Sequence, residues 1–391
     1  MTSEQNFFLK MLTDHITKKK TNPDLDLDWN VLAKWAKIHQ VEGILYYQCR
    51  NYIPETVHAR LENAFNTTIF HYKNRERVLF NIKQEFIKQD IPYLTIKGFE
   101  IAYYYPLPFL RTMGDSDILV RRDDKTRAAN ALEELGFHIG ERNPDYDWTC
   151  SINGMLFELH HNLLYQEIVT VEKHAQFFNN FWIYVKDGKL DWNFHFLYLL
   201  VHLRKHILLS GAGFRMFMDL AVIMNSNSML DWEWIETKLN ELELLKFAQV
   251  CFALIEKWFG IIAPLEFAGI DSVFVEKTTE KIFANGVFGF NNMDNEKNSS
   301  LNQLTVSGYV NCMTRLSLFF KILFPNYNNM ANSPYYHFIR GRAWLLPVAW
   351  GYRIYRLIRG RTLPIKRIIK EIMTPKGIID ERENELREWG I

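Results

Sequence analysis

Two aspartates, Asp115 and Asp117, stand one residue apart and directly before an apolar run at 118–120. The run predicts a buried strand over 115–120, and side chains alternate between the two faces of a strand, so both carboxylates are expected on one face. Carboxylates that converge from one rigid strand suit a hard divalent cation, which takes oxygen ligands. The pair therefore predicts a Mg²⁺ (or Mn²⁺) site, although Asp-x-Asp also occurs in turns and helix caps.

A third acid, Glu158, lies inside the otherwise apolar run 155–159. An unpaired carboxylate is costly in such surroundings, and a metal ion would relieve that cost. Together with Asp115 and Asp117, it can form a two-cation site of the kind that holds the attacking and leaving oxygens in phosphoryl transfer. The three acids are the predicted catalytic and metal-binding residues. Whether Glu158 binds metal or accepts the proton of an attacking hydroxyl stays open.

A possible phosphate site precedes the aspartates. Residues 91–96 predict a short buried strand, and Gly98 then opens a segment that can be helical over 99–105. A strand, a glycine turn and a helix N-terminus offer backbone N–H groups and a positive dipole end to a phosphate. Together with the acids, this pattern predicts a magnesium-dependent site for a nucleoside triphosphate (NTP).

Two cationic residues flank this segment. Lys97 and Arg111 are candidates to neutralise phosphate charge, Arg by bidentate contact and Lys as a point charge. Each also has a simpler interpretation. Lys97 can be a solvated strand end, and Arg111 can pair with Asp115 or Asp117.

Taken together, Lys97-Gly98, the segment 111–120 and Glu158-Leu-His160 resemble the nucleotidyltransferases of the DNA polymerase beta superfamily. More narrowly, they resemble its bacterial branch of uncharacterised nucleotidyltransferases. The resemblance is specific over 93–164 and implies transfer of a nucleoside monophosphate from an NTP with Mg²⁺, the metal being held by the three acids. The nucleotide-binding residues in this interpretation are Lys97, Gly98, Arg111, Gly114 and Arg215.

The chain departs from the superfamily pattern at two positions. Where the superfamily usually carries Gly-Gly or Gly-Ser, this chain has Lys97-Gly98 followed by Phe99, so the hydroxyl is missing and Lys97 can supply charge instead. The third acid, Glu158, stands where Asp is more frequent.

Several histidines lie near these motifs. His160 and His161 fall on opposite faces of their strand, so at most one faces the acids, and a packed, hydrogen-bonded role is favoured. His202 and His206 have the i, i+4 spacing of metal ligands but lack the glutamate of a zinc-protease helix. They are interpreted as supporting or core residues.

Arg215 and Asp219 lie four residues apart and therefore on one helix face, which predicts an intrahelical ion pair. The glycine-containing loop 211–213 before them can also bring Arg215 to the nucleotide.

The hydrophobic pattern predicts an α+β fold, in which a small mixed-sheet nucleotidyltransferase core is flanked by N-terminal and C-terminal helical regions. Asn153-Gly154 predicts a hairpin within the core. The N-terminal region carries no recognisable chemistry and is interpreted as a helical brace. The predicted divisions are a helical region 1–90, the core 91–189, a helical domain 190–284, a flexible loop 285–311, and a basic, aromatic helical tail 312–391.

Composition limits the class of protein. The net charge of +1 gives no global attraction for nucleic acid, and the four scattered cysteines fit a reducing cytosol. No signal peptide and no apolar run near the ~20 residues of a membrane span are apparent, so a soluble cytoplasmic protein is expected. The basic tail can contact an anionic membrane surface or a nucleic acid, or it can be an amphipathic helix with solvated arginines.

Three functions remain open. The first is an active nucleotidyltransferase that modifies a hydroxyl of a small molecule, protein or RNA. The second is a catalytically inactive module that binds a nucleotide or a partner, and the third is a toxin-like enzyme that modifies tRNA or protein. The presence of Asp115, Asp117 and Glu158 favours activity. No motif in the helical regions identifies the acceptor.

Overall fold

The computed structural model describes most of the chain and divides it into two compact units. The first is Met1–Asn292 with Trp389–Ile391, and the second is Met293–Glu388. The finer domain boundaries predicted from the sequence remain predictions. The described residues are 1–23, 26–140, 142, 146–165, 170–209, 211–226, 230–265, 269–286, 323–331, 335–359 and 376–391.

The N-terminal region is helical, as predicted. Asp28 caps the second helix by accepting hydrogen bonds from the backbone N–H groups of Asn30 and Val31, which satisfies donors that have no partner inside the helix. The fourth helix is 34 residues long. The helices are α1 (Ser3–Ile16), α2 (Trp29–Ile38), α3 (Glu42–Cys49) and α4 (Glu55–Lys88).

A five-stranded mixed sheet follows, in the order β1-β2-β5-β4-β3. Strands β2 and β5 are parallel, and the other neighbouring pairs are antiparallel. Asn153 and Gly154 both have positive φ (49° and 75°), which confirms the hairpin between β4 and β5. The strands are β1 (Tyr93–Ile96), β2 (Asp117–Val120), β3 (His138–Ile139), β4 (Trp148–Ile152) and β5 (Met155–His160).

Two predicted elements of this region have different bounds. The helix predicted over 99–105 is the five-residue α5 (Gly98–Ala102). The strand predicted over 115–120 begins only at Asp117. A helix, α6 (Lys125–Glu134), follows β2.

The two faces of the sheet are covered by different helices. Ile118 and Phe157 share a buried cluster with Ile82 of α4, so α4 and α6 cover that face. The opposite face carries Leu119, which belongs to the larger core that also contains Phe194. Because side chains alternate along a strand, the chemically active side chains of β2 and β5 lie on this second face.

The remaining helices of the first unit confirm the predicted helical pattern beyond residue 190, and the mixed α+β class is confirmed as a whole. Among the described residues, none of the helices combines the length and the apolar character required to cross a bilayer. The elements are α7 (Glu172–Phe178), β6 (Val185–Lys186), β7 (Lys189–Leu190), α8 (Trp192–Leu209), α9 (Phe214–Ser226), α10 (Trp232–Glu241), α11 (Leu245–Phe259) and α12 (Ser272–Asn285).

The second unit contains α13 (Tyr327–Ala331), α14 (Leu346–Ile358) and α15 (Lys376–Glu388). The Arg356 guanidinium lies 3.7 Å from the ring centre of Tyr335, and Trp344 is 76% exposed. The predicted loop 285–311 lies outside the described residues from position 287 onward, as do the tail residues Arg361, Lys366 and Arg367.

His39 makes the acid stability of the first unit testable. The residue is fully buried, and neither ring nitrogen has a hydrogen-bond partner among the described residues. Burial lowers the pKa of His39 from 6.5 to about 3. As the pH falls, the unfolded chain binds a proton at this histidine before the folded protein does. The contribution of neutral His39 to stability is therefore fully present above the pKa of the unfolded chain, and it is lost as the pH falls toward the pKa in the folded protein.

On acidification between the unfolded and the folded pKa of His39, we expect the free energy of unfolding to fall less in the His39→Leu variant than in the unchanged protein. The difference is up to about 1.4 kcal/mol per pH unit. Urea unfolding at about pH 7 and about pH 5 measures the difference. The exposed His138 supplies the control, because His138→Leu leaves the buried site intact. The same acid loss in His39→Leu and in the unchanged protein would contradict the expectation.

Candidate active site

Asp117 and Glu158 face each other across the two central parallel strands. They are register partners in the β2–β5 pair, which places both side chains on the same face of the sheet. His160 lies two residues beyond Glu158 and therefore on that face as well. Its Nε2 atom is 3.1 Å from Asp117 Oδ1 and 3.2 Å from Glu158 Oε2. One ligating atom from each of these three residues lies within 4.8 Å of the others.

Lys97 brings a cation to the same cluster. Its Nζ atom is 2.8 Å from Asp117 Oδ1, and its side chain is only 14% exposed, so it is not a solvated strand end. The Lys97 backbone has φ 53° and ψ −128°, a conformation that side-chain-bearing residues rarely adopt. Its N–H donates to His195 Nε2 at 3.2 Å, and its carbonyl accepts from Ile101. These bonds hold the strained turn between β1 and α5.

The charges in this cluster stabilise one another. Burial alone would raise the pKa of Asp117, but Lys97 and His160 outweigh burial and hold it well below its usual range. Burial likewise disfavours the Lys97 ammonium, yet Asp117 raises the net pKa of Lys97. Burial also opposes protonation of His160, but its bonds to Asp117 and Glu158 raise its pKa to about 9. At neutral pH the cluster therefore combines anionic Asp117 with two cations.

Helix α8 covers the cluster with two aromatic side chains. Burial, with a contribution from Lys97, lowers the pKa of His195 to about 3, so its ring is neutral and its Nε2 can accept the Lys97 N–H. Lys97 Nζ also lies 6.0 Å from the ring centre of Tyr198, three residues further along the helix. This helix face thus fixes both the backbone and the ammonium group of Lys97.

Asp115 departs from the expected position. It lies before β2 begins and is exposed, whereas Asp117 is 3% exposed, so the strand-alternation argument does not hold for Asp115. It is nevertheless close enough to feel the other acids. Although the residue as a whole is exposed, the surrounding protein partly desolvates its carboxyl group; this desolvation, together with the charges of Asp117 and Glu158, raises the pKa of Asp115, and Lys97 partly opposes this. Its role as a metal ligand remains a prediction.

Arg111 pairs with neither aspartate of the motif at ion-pair distance, so the pairing considered from the sequence is wrong. Its Nε and Nη2 atoms donate to the two carboxylate oxygens of Asp219, each at 2.8 Å, and its Nη1 donates to the Gly98 carbonyl at 3.2 Å. The Tyr105 hydroxyl also donates to Asp219 at 2.8 Å. Arg111 therefore links the Lys97–Gly98 turn to α9. Its predicted contact with phosphate remains a prediction.

The other two predicted nucleotide-binding residues have different surroundings. Arg215 Nη1 lies 3.8 Å from Asp219 Oδ2, which confirms the intrahelical ion pair, and the buried Arg215 Nε has no hydrogen-bond partner among the described residues. Burial lowers the pKa of Arg215. Gly114 is exposed, and its carbonyl accepts a hydrogen bond from Arg75 at 3.0 Å.

His202 and His206 contact each other, with their Nε2 atoms 3.1 Å apart. Burial lowers the pKa of His202 well below its usual value and that of His206 to about 4. Both rings are therefore neutral at neutral pH, so one imidazole donates to the other. This fits the supporting role predicted for the pair.

Sequence reasoning missed two residues of the site. His160 was assigned a packed role, although its two-residue spacing from Glu158 already places both on one strand face. Arg75 reaches the loop before β2 from α4, a helix assigned no chemistry, and it bonds the Gly114 carbonyl and the Ser116 hydroxyl. A lone arginine on an amphipathic helix gives no such signal in sequence.

The acid cluster fits a divalent cation. Asp117 and Glu158 converge from rigid strands, and their oxygen atoms are ligands that suit Mg²⁺ or Mn²⁺. His160 would add an imidazole ligand only after losing its proton, and the Lys97 ammonium would have to leave Asp117 Oδ1.

A family model described as an uncharacterised nucleotidyltransferase matches residues 26–260, which is more than half of the chain. The matched segment contains the acid cluster, Lys97, Arg111 and Asp219. Comparison with curated proteins and with solved structures gives no match. The chain belongs to this family of uncharacterised nucleotidyltransferases.

Proposed function

We propose that this protein transfers a nucleoside monophosphate from an NTP to a hydroxyl acceptor and requires a divalent cation, Mg²⁺ or Mn²⁺. The observation that carries the proposal is the convergence of Asp117 and Glu158 from adjacent parallel strands, with cationic side chains beside them. Carboxylates held in this way suit metal-assisted phosphoryl chemistry. The family membership supports the same class of reaction.

In this reaction the acceptor hydroxyl oxygen forms a bond to the α-phosphorus of the NTP. The bond from that phosphorus to its bridging oxygen breaks, and pyrophosphate leaves with the electron pair. When bound by Asp117 and Glu158, with Asp115 as a further candidate ligand, the cation would supply positive charge to the phosphate oxygens.

Several side chains have roles that do not depend on the cation. We expect Lys97 and Arg215 to offset the negative charge of a triphosphate, and the Arg215 Nε has no hydrogen-bond partner among the described residues. His160 contacts both Asp117 and Glu158 and so orients the two carboxylates. The proton of the acceptor hydroxyl passes to Glu158 or to solvent.

The position of the radiolabel in the NTP tests the proposal. The purified protein is incubated with Mg²⁺ or Mn²⁺, cell extract and each of the four ribonucleoside triphosphates, labelled either at the α-phosphate or at the γ-phosphate. We expect label from the α-phosphate to enter a product and label from the γ-phosphate to appear in pyrophosphate. Omission of the divalent cation should prevent both outcomes.

Two results would contradict this proposal. Transfer of the γ-label to a product would indicate a kinase. Binding of an NTP without transfer of either label, in extracts that supply all acceptor classes, would indicate the inactive binding module. The size of the labelled product separates a small-molecule acceptor from protein or tRNA, the acceptors of the toxin-like alternative.

A further inference from the structure

A cavity of about 270 Å³ lies at the end of the sheet where β5 begins, and Asp117, Glu158 and His160 do not line it. It is bounded by α4, by the segment 111–113 and by the turn of the β4–β5 hairpin. Its volume is near the lower end of the range for small-molecule sites, roughly 300–1,000 Å³. The polar lining consists of Thr67, Thr68, His71, Tyr72, Arg75, Arg111, Thr112 and Asn153. Arg111 is already bound to Asp219 and to the Gly98 carbonyl, so Arg75 is the cation of the wall that makes no ion pair with a described carboxylate.

The cavity wall thus contains a buried cation that makes no ion pair within the part of the chain that the structure describes. Arg75 is 7% exposed and has no described carboxylate within 4.0 Å; burial lowers its pKa, and the more distant charge of Asp115 only partly opposes this. It donates instead to neutral oxygens, the Leu156 carbonyl at 2.7 Å, the Gly114 carbonyl at 3.0 Å and the Ser116 hydroxyl at 3.2 Å. A buried charge with only neutral acceptors is costly, and an oxyanion in the cavity would reduce that cost.

Two hydroxyl groups in the lining can accept hydrogen bonds from a ligand but have no proton left to donate. The Thr68 hydroxyl donates to the Ala64 carbonyl at 2.8 Å, and the Thr112 hydroxyl donates to the Gln40 carbonyl at 3.0 Å. Since each hydroxyl has a single proton, their oxygens can offer only lone pairs to a ligand. The wall therefore matches a ligand that has hydroxyl groups as donors and an oxyanion for Arg75.

Arg75 also bonds the two segments that carry the acids. Gly114 and Ser116, which Arg75 holds, flank Asp115, and Leu156 precedes Glu158 by two residues on the same strand. A ligand fixed at Arg75 is thus anchored to the segments that carry the acids. Positioning a hydroxyl against a bound NTP requires an anchor of this kind.

We propose that this cavity is the acceptor site and that the acceptor is a small polyol carrying an oxyanion, either a phosphate ester or a carboxylate. This inference rests on the proposed nucleotidyl transfer, because it identifies the class of the second substrate. Arg75 binds the oxyanion, and the Thr68 and Thr112 oxygens accept hydrogen bonds from the polyol.

Direct binding measurements on the full chain test the site. The probes are ribose 5-phosphate, gluconate and ribose, titrated by calorimetry in the presence of Mn²⁺. We expect ribose 5-phosphate or gluconate to bind at least about tenfold more tightly than ribose, and whichever binds better identifies the oxyanion. Equal or undetectable binding of all three would overturn the assignment.

A matched pair of variants separates this cavity from the nucleotide site. Thr67 is an exposed residue of α4 in the cavity lining, and its neighbour Asn66 is exposed outside the lining. We expect Thr67→Trp to abolish binding of the anionic probe, while Asn66→Trp leaves it unchanged. Both variants should retain Mn²⁺ and NTP binding. Loss of NTP binding in Thr67→Trp would assign the cavity to the nucleotide and overturn the inference.

The outcomes also distinguish this inference from the proposed function. If the unchanged protein transfers the α-label but binds none of the anionic polyols, only the acceptor assignment is wrong. If it binds no NTP and transfers no label, the proposal of nucleotidyl transfer itself is wrong.

The variant Arg75→Met removes the charge of the cavity wall, and thermal unfolding checks its fold. It should reduce affinity for the oxyanion probe more than affinity for ribose.

Discussion

NTP turnover is expected to fall at least about a thousandfold in the Asp117→Asn variant, because the substitution removes a charge worth several kcal/mol to a metal-assisted transition state. Asp117 is the acid that contacts both Lys97 and His160, so it carries most of the electrostatics of the site. Steady-state release of pyrophosphate measures turnover. Mn²⁺ binding, followed by electron paramagnetic resonance, should weaken at least about tenfold in the same variant.

A loss of turnover must be separated from a loss of fold. Asparagine leaves Lys97 without its carboxylate, and thermal unfolding will show whether this destabilises the protein. The Glu158→Gln variant avoids the problem, since Glu158 is half-buried and is not paired with Lys97. It should lose turnover and Mn²⁺ affinity with a smaller change in unfolding temperature. The exposed Asp123 supplies the control, and Asp123→Asn should behave as the unchanged protein. Unreduced turnover in Asp117→Asn would exclude the acids from the mechanism.

Features that depend on neighbouring residues could be predicted from the sequence. The long helix α4, the hairpin at Asn153-Gly154 and the buried strand after Asp117 each have a local cause in periodicity or turn chemistry. The third acid was found in the same way, because a carboxylate inside an apolar strand is conspicuous. These local signals were sufficient to identify the two strands that carry Asp117 and Glu158.

The start of β2 shows where local reasoning failed. An apolar run after two acids fits a strand that begins at either acid, and strand alternation was applied to Asp115 on that basis. In the structure, the Gly114 carbonyl and the Ser116 hydroxyl bond to Arg75, a residue about forty positions earlier in the chain. This contact holds the segment as a loop and leaves Asp115 exposed. The tertiary contact with Arg75 thus determines where β2 begins, which the hydrophobic periodicity of the sequence does not specify.

The charge partners in the site were equally beyond the sequence. Asp219 was matched with Arg215, its neighbour four residues away, and that pair exists at 3.8 Å. The closer contact of Asp219 is with Arg111, 108 residues earlier, at 2.8 Å. Nothing local to either residue predicts this pairing, because it depends on how α9 packs against the loop before β2.

The Asp219→Asn variant is expected to lose about 3–5 kcal/mol of its free energy of unfolding, since it leaves a buried guanidinium without its counter-charge. Arg111 is 5% exposed and makes two hydrogen bonds to Asp219, which also accepts from the Tyr105 hydroxyl. Urea unfolding monitored by fluorescence measures the change. The ion pair between Arg127 and Asp124 is the matched control, because Arg127 is 52% exposed and Arg127→Gln should cost about 1 kcal/mol or less.

A double-mutant cycle decides whether the pair itself is responsible. Arg111→Gln alone leaves Asp219 with the Tyr105 hydroxyl and the weaker Arg215 contact, whereas the double variant removes both charges. The double variant should therefore be less destabilised than the sum of the two single variants by at least about 1 kcal/mol. Additive losses would mean that the two residues act independently. A coupled loss accompanied by reduced turnover in the folded single variants would show that Arg111, through its bond to the Gly98 carbonyl, positions the turn that carries Lys97.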